Sequence, residues 1–261
     1  MEGKALQKVP ADKRWGQMPA HYCPDDAKVI SARLGMLDPV LRGEVWTPLW
    51  AWPGGWGWLA DGAALLAAAG VEVIACDPLY ALSNGELRQR TLDDLALSLR
   101  KSATSSMLRP GFDLEPVRRS HLDSLEMFLA DREAHPERYV AASLPELPFT
   151  SGQFDLVLCG HLLFSYAPVT DGGLMTGAGL DLHWHRIALA ELCRVSRSQV
   201  RLYPAHTQTL PACRHPYAEA LLADLPAPWC GSFVPRRYDQ GFSGCTDGLE
   251  LRRNGSAPAG S

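Results

Sequence analysis

The chain has no CxxC pair, no uninterrupted apolar run of bilayer length and no basic excess, and each absence excludes a class of function. Seven cysteines, at 23, 76, 159, 193, 213, 230 and 245, are scattered and odd in number. That pattern fits reduced thiols in a cytoplasm rather than the disulfide framework of a secreted domain. A formal net charge of −4 leaves no basic footprint for nucleic acid. The N-terminal stretch MEGKALQKVPADKRW alternates charge with short apolar steps and lacks the apolar centre of a secretory signal. Segment 45–60 is uncharged and holds five of the eight tryptophans. It is shorter than the roughly 20 residues a spanning helix needs, and prolines and glycines interrupt it.

Chemical signatures are sparse as well. There is no Walker loop and no Ser/His/Asp nucleophile arrangement. His183 and His185 are two residues apart, so on a helix they point about 200° apart and make poor joint metal ligands. No metal site is expected. A nicotinamide fingerprint would put Gly-x-Gly-x-x-Gly after the first strand, but Trp50-Ala51-Trp52 stands there.

What remains is an ordinary globular composition, 46% hydrophobic and 21% charged, with enough length for a sizeable core. Residues 1–40 read as a helical lead-in. Strands are expected at Val45–Leu49, Val71–Cys76, Arg138–Ala142, Phe154–Cys159 and Gln199–Tyr203, with late strands at Gly231–Val234 and Gly248–Arg252 that pair antiparallel. Helices are expected at Leu59–Gly70, Leu180–Val195 and His215–Leu225. Residues 82–135 form a helical insertion, broken at Arg109-Pro110-Gly111, whose face of Leu122, Leu125, Phe128 and Leu129 suggests a cap over the site. The alternation predicts an α/β, doubly wound, mostly parallel sheet over 41–253, followed by a disordered tail at 254–261.

The most informative run is Val71-Glu72-Val73-Ile74-Ala75-Cys76, which closes on Asp77-Pro78. An apolar strand ending on a carboxylate is how open parallel sheets offer an acceptor to both hydroxyls of a ribose. This points to a nucleoside-bearing cofactor. The plain alternative is a turn Asp before proline.

The order of signals resembles the class I, Rossmann-like S-adenosylmethionine-dependent methyltransferases. The likeness covers about residues 40–205 and rests on Asp77 after strand two, the block LPFTSGQFDLVLCGHLLF at 147–164, and Glu191-Leu192-Cys193-Arg194-Val195 leading into strand five. It implies S-adenosyl-L-methionine as cofactor and a small-molecule methyl acceptor. It implies that Asp77 and Pro78 meet the ribose, that Ser143 and Leu144 line the adenine, and that Cys159, Gly160 and His161 lie near the methionine part, His161 being the catalytic candidate. The first loop departs from the family pattern. Aligned on Pro53-Gly54, its usual acid falls on Pro48 and its first two glycines on Trp50 and Trp52, leaving Gly54 and Gly55. Three readings compete: a rebuilt aromatic pocket in which Trp52 and its neighbours stack on the cofactor, a plugged site, or an out-of-frame stretch. The second of these makes the chain a catalytically inactive, methyltransferase-like binding or scaffolding protein. Neither the methyl acceptor nor the oligomeric state is legible.

Overall fold

The computed structural model describes residues 44–47, 61–68, 72–103, 110–175, 180–235 and 243–255. The expected lead-in at 1–40, the loop bearing Trp52, Gly54 and Gly55, and the tail from 256 onward lie outside the described residues.

Among the described residues, seven strands form one sheet in the order β3-β2-β1-β4-β5-β7-β6. They are β1 (Glu44–Thr47), β2 (Val73–Cys76), β3 (Tyr139–Val140), β4 (Phe154–Gly160), β5 (Ser196–Tyr203), β6 (Trp229–Pro235) and β7 (Asp247–Arg253). The first five are parallel: Val45 pairs with Ile74 on one side and Val157 on the other, and Leu158 with Arg201. β7 runs antiparallel to both β5 and β6. The doubly wound, mostly parallel sheet is therefore as expected, including the antiparallel late strands. Insertion of β7 between β5 and β6 departs from the 3-2-1-4-5-6 order of dinucleotide-binding folds.

Alternation along β4 divides the core between the two faces of the sheet. Val157 and Cys159 join one cluster with Val200 and Leu202 of β5 and Leu249 and Leu251 of β7. Helix α4 (Leu182–Val195) covers that face with Ala188, Leu189 and Leu192, and α5 (Pro216–Ala223) with Ala218 and Leu221. Leu156 and Leu158 point the other way, toward Val73, Ala75 and Tyr139. There they meet Ala63 and Leu66 of α1 (Asp61–Ala68), Leu87 of α2 (Asn84–Ala103) and Leu125, Phe128 and Leu129 of α3 (Glu115–Ala134).

This placement corrects the expected cap. The apolar stripe of α3 lies where the sequence put it, but it covers the sheet's face, since a stripe that wide is best buried against strands. The third strand is also shorter than expected. Pro136–Arg138 form a 3-10 turn before it, and beyond it the Cys76 thiol donates to the Ala142 carbonyl at 3.4 Å.

Local chemistry sets the helix starts. The Asp181 carboxylate accepts the Trp184 amide at 2.7 Å as the cap of α4. His215 caps α5 through Nδ1, which accepts the Tyr217 amide at 3.1 Å, with Pro216 at the first helical position. The turn into β4 is made by Gly152 at φ 65°, a conformation glycine adopts without steric cost. No described helix is long and apolar enough to cross a membrane.

Candidate functional site at the carboxyl edge of the sheet

Parallel pairing from β3 to β5 brings the carboxyl ends of these strands to one edge. Cys76 is level with Val140, Thr47 with Cys159, and Gly160 with Tyr203. Asp77, the Ala141–Leu144 segment, Gly160-His161 and Tyr203-Pro204 therefore line one rim. With strands spaced about 4.8 Å apart, Asp77 and Gly160 stand about 10 Å apart across β1. The chain steps outward from β1 to β2 and β3 and then returns from β3 to β4 on the other side of β1, and ligands of open α/β sheets settle outside that point of reversal.

Asp77 is buried, with 2% of its surface exposed, and lies in extended backbone at φ −158°. Its amide continues the ladder to the Val140 carbonyl at 3.1 Å. Its carboxylate accepts the Leu79 amide at 2.8 Å and so caps the 3-10 turn Pro78–Ala81. A carboxylate offers about four lone-pair sites, and this bond takes one of them. The neighbouring thiol of Cys76 is pushed up to about 12, first by burial and then by the Asp77 charge, so it stays protonated and unreactive. Pro78 is exposed, and Tyr80, two residues on, is buried, its hydroxyl without a hydrogen-bond partner among the described residues. Burial and the charge of Asp77 hold that phenol well above the ordinary tyrosine range.

Ser143 is exposed and Leu144 half-buried. A bridge from Ser143 to Glu146 closes their turn, with the Glu146 amide reaching the Ser143 carbonyl at 3.2 Å. Cys159 is buried and belongs to the core beneath the rim. Gly160 sits on the rim itself, and a Cβ built there meets no atom of the described residues within 4 Å. His161 is half-buried and holds left-handed backbone at φ 56°. Its amide donates to the Tyr203 carbonyl at 2.5 Å, and its ring meets the Tyr203 ring edge-on at 5.6 Å.

The other histidines divide by burial. His183 is exposed on α4. His206 follows β5, but it is 2% exposed, and its Nδ1 lies 3.0 Å from the Thr207 carbonyl. It is part of the scaffold behind the rim. Asp155 within β4 pairs with Arg197 at 3.1 Å. Among the described residues, no group of three or more histidines, cysteines and carboxylates is placed to hold a metal ion.

Two features escaped the sequence reading. Glu191 and Arg194 of α4 grip the Leu147–Phe149 loop: Glu191 accepts the Leu147 amide at 2.8 Å, while Arg194 donates to the carbonyls of Phe149 and Leu147 at 2.8 and 3.2 Å. Their spacing of three on one helix face was the available signal. The second feature is the contact between His185 and Phe164, which nothing local in the sequence marks.

No protein-family model matches the chain, and no curated protein matches it. Solved structures align with it at low similarity. Magnesium protoporphyrin IX methyltransferase (ChlM) from Synechocystis PCC 6803 with bound SAM shares 12% identity at a TM-score of 0.38, over 97% of this chain and 87% of that one. SAM-bound CalS10, an amino pentose methyltransferase from Micromonospora echinaspora, shares 13% at 0.41, over 97% and 100%. A methyltransferase described as S-adenosyl-L-methionine-dependent (mmp1179), from Methanococcus maripaludis, shares 10% at 0.39, over 98% and 97%. Likeness this low adds nothing to the fold, which stands on strand order and register.

Proposed function

We propose that this chain is an S-adenosylmethionine-dependent methyltransferase acting on a small-molecule nucleophile. The observation that carries the reading is Asp77: a carboxylate buried at the carboxyl end of β2, beside the point where the strand order reverses and ligands of open α/β sheets settle. Few side chains tolerate that burial unless their remaining lone pairs serve a ligand or the scaffold. The Tyr80 hydroxyl, without a partner among the described residues, lies close enough to feel the Asp77 charge.

In this reading Asp77 accepts from both ribose hydroxyls, and Pro78 lies against the sugar. Ser143 and Leu144 flank the adenine, and Gly160, above the packed Cys159, faces the methionine part. The cofactor, when bound, supplies an electrophilic methyl group on a positively charged sulfur. The protein's work is then to hold the nucleophile in line and to exclude water, effects that supply most of the acceleration in such displacements. His161, held at the rim by the hydrogen bond its amide donates to the Tyr203 carbonyl, takes the proton lost by the nucleophile. The free thiols of the described cysteines suit a reducing compartment, and we place the protein in the cytoplasm.

Thermal denaturation with added S-adenosylmethionine, S-adenosylhomocysteine and nicotinamide dinucleotides tests this reading. A rise in melting temperature with the first two alone is the expected result, since a ligand that binds only the native state stabilises it. A rise with the dinucleotides alone would overturn it.

A further inference from the structure

The connection from β4 to α4 contains two non-glycine residues in left-handed backbone, His161 at φ 56° and Phe164 at φ 71°. L residues hold this conformation only where their surroundings enforce it. Phe164 is fully buried, and its amide donates to Nε2 of His185 at 2.8 Å. Its ring also stacks on the same imidazole, with centroids 5.6 Å apart and planes 19° from parallel. On the other side of the ring, Nδ1 of His185 lies 2.7 Å from the Asp181 carbonyl. An amide N–H only donates and a carbonyl only accepts, so both bonds exist together in one protonation state alone. That state is the neutral imidazole carrying its proton on Nδ1.

We infer that His185 is a positioning residue whose neutral Nδ1–H tautomer latches the turn at Phe164, and so sets the His161–Tyr166 loop on the rim only while this imidazole is uncharged. A proton on Nε2 would point a donor at the Phe164 amide and remove the sole acceptor described for it. The surroundings keep that proton off. His185 is fully buried, with Trp184 at 5.5 Å and Tyr217 at 5.1 Å against its ring. The groups facing it are Asp181 of its own cap, whose carboxylate is engaged by Trp184, and His215 and Tyr217 of the α5 start. Asp171 stands behind Tyr217, bound to its hydroxyl at 2.5 Å. Burial outweighs the Asp181 contacts and holds His185 below the ordinary histidine value. The latch is therefore closed at neutral pH and opens as the solution is acidified.

The inference rests on the methyltransferase reading only for the ligand used as a probe. The test is made on the full chain with three proteins: wild type, His185→Gln, which keeps a carbonyl able to accept the Phe164 amide but takes up no proton, and His185→Phe, which keeps the ring without an acceptor. Imidazole nitrogen NMR of the wild type is expected to show the Nδ1–H tautomer at neutral pH. S-adenosylhomocysteine affinity, read by calorimetry, is expected to hold level in the wild type near pH 7.5 and to fall severalfold only as the solution is acidified below the ordinary histidine value of 6.5. It should stay level in His185→Gln, and be about tenfold weaker at neutral pH in His185→Phe. An Nε2–H tautomer, wild-type affinity in His185→Phe, or the same acid loss in His185→Gln would each overturn the latch. If the ligand binds no variant at any pH, the methyltransferase reading falls by itself. The latch is then judged by the tautomer and by hydrogen exchange at the Phe164 amide, which His185→Phe must accelerate about tenfold and His185→Gln must not.

Discussion

Arg194 donates from its guanidinium to the Phe149 carbonyl at 2.8 Å, tying the last turn of α4 to the loop that feeds β4. Glu191 holds the same guanidinium at 2.6 Å and accepts the Leu147 amide. Two stretches separated by about forty residues thus close on each other, and the start of β4 is fixed before the rim is reached.

Replacing Arg194 with Ala removes donors from two backbone carbonyls and leaves the Glu191 carboxylate, 12% exposed, without its cation. The guanidinium itself is about a third exposed, which moderates the cost. A loss of about 1–2 kcal/mol is expected, readable as a lower urea midpoint at unchanged slope. Arg194→Lys restores little, because an ammonium does not reproduce the planar fork.

Gly173 leaves no space for a side chain. A Cβ there would lie 2.0 Å from the Ala167 carbonyl oxygen, and backbone does not step aside as a flexible side chain does. Gly173→Ala is expected to cost about 1–3 kcal/mol and to disturb the loop from Ser165 to Met175. Denaturant unfolding measures the loss. Wild-type stability in this variant would show that the close approach of these two backbone segments is not required.

Acid should weaken the fold through His215. It is fully buried, and burial with the neighbouring His185 lowers it from 6.5 to about 4. The unfolded chain therefore binds this proton more readily than the native one. The contribution to stability is whole above about pH 6.5 and is lost as pH falls through about 4. His215→Asn keeps an acceptor for the Tyr217 amide but does not titrate, so its urea midpoint should decline less steeply across that window. Parallel declines would remove His215 from the account.

Much of this was legible. Strand positions follow from apolar runs bounded by turns, and Asp77 was visible because a charge ending a buried strand is rare. The apolar stripe of α3 was read correctly, but not its target, since periodicity names a face and not what it meets. His185 was hidden for another reason. Its partners are a backbone amide 21 residues away and a backbone carbonyl, and backbone groups carry no residue signature. Left-handed φ at His161 and Phe164 is likewise invisible where glycine and asparagine are absent.

The central claim is that the Asp77 carboxylate grips the ribose of an adenosyl cofactor, and calorimetric titration with S-adenosylhomocysteine tests it most directly. Asp77→Asn keeps an oxygen to cap the Leu79 amide and removes the charge, so the turn survives while the grip weakens. The account predicts saturable binding by the wild type and a loss of about 1.5–3 kcal/mol in Asp77→Asn at unchanged melting temperature. Binding of equal strength in both would contradict the role given to Asp77, and no binding to the wild type at millimolar ligand would contradict the cofactor itself.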